Sequence, residues 1–201
     1  MSEQEQALQA ATNSPTFALL KQAGIHLGVW LLAFSLFAAT DSWEQLTGWQ
    51  LATLLNVLTG FIAGFVTVNL LHEWFHYFGA KACAAQYSLS RKASLFVFDW
   101  DFENNSLDQF FIMSIAGTVG GILGLLLLYA GIEANSAGRA ALVAGAVTSF
   151  AFGSILEWPV LARTRRSRDP QAELMKLTPP VLGRAGAGSL IAGLTTWAIL
   201  L

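Results

Sequence analysis

The sequence predicts an all-α polytopic membrane protein with about five transmembrane helices and a short interfacial β-hairpin. Three observations predict it. Hydrophobic residues make up 54% of the 201-residue chain and charged residues only 12%, a balance outside the range of soluble domains. Five apolar stretches, 23–40, 51–71, 110–129, 141–161 and 181–201, each approach the ~20 residues that a helix needs to cross a hydrocarbon core ~30 Å thick. One segment, 86–105, abandons the helical pattern for alternation.

Residues 1–15 form a polar tail with Glu3 and Glu5 but no Lys or Arg. The tail lacks the positive region of a signal peptide, so it is expected to be retained. Residues 16–201 read as a single transmembrane domain without internal repeats. The outermost spans are the least clear-cut, with Lys21 and His26 near the start of one and Arg184 near the start of the other. Gly117, Gly120, Gly121 and Gly124 put small residues four apart in two overlapping pairs in the third span. That spacing lets helix backbones approach closely in lipid, so this span is expected to be central. Ahead of it, Phe96, Phe98, Trp100 and Phe102 alternate with Val97, Asp99 and Asp101. The pattern predicts a strand over 96–102 with one apolar face, and 88–92 is its candidate partner. An open sheet edge cannot lie in lipid, which places the hairpin at the interface.

With the N-terminus in the cytoplasm, 10 of the 11 Lys and Arg residues fall on the cytoplasmic side and only Arg139 lies opposite. The positive-inside rule therefore predicts a cytoplasmic N-terminus and an external C-terminus. A net charge of -2 gives no basic field for nucleic acid. One cysteine, Cys83, can form neither an internal disulfide nor a Cys-rich metal cage.

At the cytoplasmic end of the second span stands His72-Glu73-Trp74-Phe75-His76, an HExxH motif. Two histidines four apart lie on one helical face, where both imidazoles can reach one Zn2+, while the glutamate can serve as general base toward water activated by that ion. A shuffled chain of this composition would contain about 0.002 such motifs. The carboxylate also costs up to ~3 kcal/mol at the centre of a membrane helix, which marks it as a functional candidate. Haem is excluded, because ligands on one face of one helix cannot approach opposite sides of a porphyrin.

A catalytic zinc site normally has three protein ligands. His26, the remaining histidine, reads as an interfacial residue, and Cys83 lies ~10.5 Å along the helix from His76. Asp99 and Asp101 read as solvated strand residues. Glu157 lies in apolar surroundings at the depth of the histidine pair, which makes it the carboxylate that physical reasoning selects. Asp169 follows a basic run on the same side.

HExxH in a membrane helix, followed by the small residue Ala80, an interfacial β segment, a glycine-rich helix and a late acidic residue, resembles the site-2 protease family of intramembrane zinc metalloproteases. The likeness covers roughly residues 55–175. The third zinc ligand in that family is an aspartate, often in a Leu-Asp-Gly or Ser-Asp context. Ser167-Arg168-Asp169-Pro170 and Glu157-Trp158-Pro159 are the nearest equivalents, so the resemblance selects Asp169 over Glu157. The chain departs from the family at the bulky Trp74 and Phe75, at the absent Leu-Asp-Gly triplet and at Ala116-Gly117-Thr118, which lacks a proline.

The resemblance implies a metalloendopeptidase that hydrolyses a peptide bond of a membrane-embedded protein or peptide. His72, His76 and Asp169 would bind Zn2+, Glu73 would activate water near the cytoplasmic face, and the 96–102 strand would receive the unwound substrate. The alternative expectation is a non-catalytic membrane protein that uses the same ligands for structural metal or for holding a substrate.

Overall fold

The structure, a computed structural model, describes residues 14–89 and 94–201. Most of the N-terminal tail, and Ser90, Arg91 and Lys92 of the anticipated hairpin partner, lie outside the described residues. The elements are α1 (Pro15–Thr47), α2 (Gln50–Ala82), β1 (Tyr87–Leu89), β2 (Phe98–Trp100), α3 (Leu107–Gly131), α4 (Ala137–Ser167), α5 (Pro170–Leu174) and α6 (Pro179–Leu200).

All five apolar stretches become helices, longer than the apolar runs themselves. α1 and α2 have 33 residues each, ~50 Å at ~1.5 Å per residue, so both outrun the hydrocarbon and end in the interface. Four helices, α1, α2, α3 and α4, are long and apolar enough to cross a membrane. α6 has the length, at 22 residues, but Arg184 and a run of glycines keep it out of that group. Leu32, Leu36, Leu58, Ile62, Leu126 and Leu127 are exposed, as expected where lipid rather than water covers the bundle.

Local chemistry sets the boundaries. Ser14 caps α1 by accepting from Phe17 N–H at 3.1 Å, with Pro15 in the first turn. Gly48, at φ 62°, stops α1 in the left-handed conformation. Ser106 and Gln109 form a reciprocal capping box at the start of α3. The sheet is a two-stranded antiparallel hairpin in which Ser88 faces Asp99. It lies inside the segment expected to alternate, with β1 beginning one residue earlier than anticipated.

The centre of the bundle is α2, which packs against α1, α3 and α4. The glycine-rich α3 is one of its flanks rather than the middle. Backbone meets backbone on two sides of α2. A Cβ on Gly60 or Gly64 would collide with the carbonyls of Gly138 and Leu142 in α4, and one on Gly145 would collide with the carbonyl of Phe61. On the other side Gly120 receives Phe75, and Gly124 receives Val68 and Leu71. The expected small-residue seam is therefore present, and it faces the helix that carries HExxH.

At the far end from the hairpin, Arg139 donates to Asp41 at 2.9 Å through Nη2 and at 3.2 Å through Nε. Asn56, fully buried, donates to the same carboxylate at 3.2 Å. The one basic residue assigned to that side thus meets a carboxylate where the helices converge, which limits the cost of placing charge beside lipid.

Gly64→Ala is expected to cost about 1–3 kcal/mol by overpacking, read as a lowered thermal midpoint in detergent. Gly24→Ala, where a Cβ meets nothing within 4 Å, should leave the midpoint unchanged or slightly raised.

Candidate metal centre

One turn of α2 carries the motif, and two neighbouring helices shape the space around it. His72 and His76 stack along one flank with ring centroids 4.4 Å apart. Glu157 descends from α4, two residues before Pro159, which lies inside that helix. Its Oε1 lies 2.8 Å from His72 Nε2 and 3.1 Å from His76 Nε2, and the two Nε2 atoms are 2.9 Å apart. His72, His76 and Glu157 form the group of potential metal donors among the described residues. Their side chains are only 13%, 12% and 26% exposed.

Glycine makes the close fit possible. A Cβ on Gly117 would overlap the His76 imidazole, and Cβ atoms on Gly121 and Gly153 would lie 3.6 and 3.4 Å from the His72 ring. Bare backbone at Gly117 of α3 is what leaves room for the His76 ring, while Cβ atoms at Gly121 and Gly153 would make ordinary contact with His72.

Proton counting decides what this cluster can hold. His76 Nδ1 lies 2.9 Å from the carbonyl oxygen of Met113, which can only accept, so Nδ1 carries a proton, and whenever the ring is neutral its Nε2 presents a lone pair. That lone pair faces His72 Nε2 and a carboxylate oxygen. With neutral rings, a single proton on His72 Nε2 is the most that can lie among three electron-pair donors. The second oxygen, Glu157 Oε2, is buried without any hydrogen-bond partner. A convergence of acceptors short of protons fits a cation. Donors at ~2.0–2.2 Å from a tetrahedral zinc would stand about 3.3–3.6 Å apart, a few tenths of an ångström beyond the 2.8–3.1 Å separations here. Two imidazoles and one carboxylate also form a known catalytic zinc ligand set.

The structure does not bring Asp169 to this group. Asp169 is the N-cap of α5, where its Oδ1 accepts from Ala172 N–H at 2.9 Å ahead of Pro170. Glu157, the carboxylate selected on depth and apolar surroundings, is the one that lies beside the histidine pair. Cys83 lies near the carbonyl oxygens of Ala80 and Gln109. Asp99 is exposed on β2. Asp101 is engaged by its own turn, where bonds from Asn104 hold its carboxyl below the usual range.

Glu73 and His76 face a cavity of about 240 Å³ that Glu157 also lines. The four aromatic residues of the alternating segment, Phe96, Phe98, Trp100 and Phe102, line the same cavity, so the apolar face read from the sequence points at the metal-donor group. Asp101 N–H donates to Gln86 C=O. With Ser88 opposite Asp99, the backbone groups of Asp99 and Asp101 therefore turn toward β1, and those of Phe98 and Trp100 turn to the unpaired edge.

Two residues acquire roles that no local pattern announced. His26 is buried at 4% exposure. The Trp74 indole donates to its Nδ1 at 3.1 Å, which leaves the ring proton on Nε2 to donate to Ser94 C=O at 2.9 Å. The Gln22 amide also donates to Ser94 C=O, and to Phe96 C=O at 3.4 Å. α1 thereby clasps the chain leading into β2 to the HExxH helix. The bulk of Trp74 and Phe75 follows: one side chain reaches His26, the other fills the notch at Gly120.

No family model, curated protein or solved structure matches the chain.

His26→Phe keeps the ring and deletes the two bonds of the clasp that His26 makes, at about 1 kcal/mol each. Backbone amides of 94–100 are expected to exchange roughly tenfold faster by mass spectrometry. Unchanged exchange there would show that His26 does not hold the strand.

Proposed function

We propose that this chain is a membrane-embedded zinc metalloprotease of the site-2 protease type. The observation that carries this reading is the meeting of both HExxH imidazoles with the Glu157 carboxylate beside a cavity that Glu73 also faces. His72, His76 and Glu157 would hold the ion. Bound there, zinc supplies Lewis acidity, which polarises a carbonyl and makes water acidic enough to ionise near neutral pH. Glu73 takes the proton of the attacking water as general base and returns it to the amine as the C–N bond breaks, so that water supplies hydroxyl to the new carboxyl and hydrogen to the new amine. Met113 C=O fixes the tautomer and orientation of His76, as outer partners of metal-bound histidines do.

The substrate is an unwound segment of a membrane protein or peptide. Its backbone pairs with the unpaired edge of β2 through the outward groups of Phe98 and Trp100. A closed structural metal site takes four protein ligands, and the donors grouped among the described residues number three, which favours hydrolysis over a purely structural ion. The end of the bundle with the site also holds Lys81, Arg163, Arg165, Arg166 and Arg168. By the positive-inside rule that end is cytoplasmic, with the N-terminus on the same side.

Two experiments test the proposal. Glu157→Ala should lose stoichiometric zinc by elemental analysis, whereas Asp169→Ala should retain it and lose only about 1 kcal/mol of stability with the helix cap. Glu73→Gln should retain zinc and lower cleavage of a membrane peptide by roughly 10²–10⁴-fold; cleavage at the parental rate would refute the assignment of the base.

A further inference from the structure

The cavity beside Glu73 is polar only at its head. Beyond Glu73, His76, Ser114 and Glu157 its walls are apolar: Phe98 and Trp100 from β2, Phe110 from α3, Leu161 from α4, and Leu174 and Leu177 from the stretch after α4. At about 240 Å³ it falls below the ~300 Å³ at which pockets for whole small molecules begin. The space suits one large side chain.

The wall formed by Leu174 and Leu177 is fixed. Glu173, 3% exposed, accepts from Arg163 Nε at 2.8 Å and from Lys176 Nζ at 2.7 Å. The Lys176 ammonium and the Arg163 guanidinium hold its carboxyl below the usual glutamate range. A buried carboxylate bridging two cations ties α5 to the end of α4, and the Asp169 cap and Pro170 set where that short helix starts.

Resting on the hydrolytic reading above, we infer that this cavity is a specificity pocket that admits one large apolar side chain, aromatic or long aliphatic, of an extended substrate next to the scissile bond. A guest strand on β2 sends alternate side chains to the same face as Phe98 and Trp100, and the residue beside the cleaved peptide group enters the pocket. Phe or Leu buries its surface there at no cost to any polar group. Ala leaves the walls uncovered, and Asp brings an unpaired charge into them.

The test uses the zinc-loaded full chain in detergent and peptides identical except for Ala, Leu, Phe or Asp at each position flanking the cut. At one position kcat/KM should favour Phe or Leu over Ala by roughly 10–200-fold, with Asp lowest. Leu174→Trp fills the pocket and should reverse the order, sparing Ala and losing Phe. Leu177→Trp is the second filling variant should the first fail to fold. Equilibrium binding of the labelled peptides to Glu73→Gln reads the pocket without turnover. If no peptide is cleaved but binding keeps the order, and filling reverses it, the hydrolytic reading falls and the pocket stands. An order absent from both readouts, or unchanged by filling, overturns the pocket.

Discussion

Two imidazole nitrogens and a carboxylate oxygen within about 3 Å of one another, with at most one proton among them when both rings are neutral, form the constraint on which this molecule turns. Two imidazole nitrogens and a carboxylate oxygen repel unless something positive lies among them, and the surrounding helices press them together nonetheless. α3 and α4 contribute glycine at the contact points, so the rings of His72 and His76 rest against backbone. α4 delivers Glu157 from the opposite side. A buried acidic group in a membrane bundle carries a heavy desolvation cost; its hydrogen-bond contacts with two imidazoles offset part of that cost.

Much of this was legible in the chain. The spacing of His72 and His76 fixes their shared face by helical geometry alone. The alternation gave the cavity-facing side of Phe98, Trp100 and Phe102, although Phe96 is largely exposed and Val97, read on the opposite face, is buried; the glycine series in α3 gave a close helix contact. The third donor was legible too, but in two conflicting ways. Depth and apolar surroundings pointed to Glu157, while the family likeness pointed to Asp169. The competing local signal was Asp169-Pro170 itself, an acidic N-cap followed by proline, which is how a helix begins. The partners of His26 were beyond reach, because a histidine in α1, an indole in α2 and a carbonyl ahead of β2 are brought together only by tertiary packing.

The clasp at His26 and the ion pairs at Glu173 play matching parts, each holding a segment that lines the cavity. One holds the chain that leads into β2, and the other holds the stretch after α4. Both use a buried polar residue to fix segments that short secondary structure could not hold by itself. A two-stranded hairpin and a five-residue helix are marginal in isolation. Side chains from the long helices supply the rigidity that these pieces lack, and a cavity of defined shape follows.

The connection between α1 and α2 has a consequence for biogenesis. Two 33-residue helices joined only by Gly48 and Trp49 form an antiparallel pair that can enter the bilayer together. Trp30 reaches Thr67, Thr40 reaches Thr59 and Asn56 reaches Asp41 across that pair. These polar groups of α2 thus find partners in the helix that directly precedes it, whereas His72 and His76 find theirs only when α3 and α4 are in place.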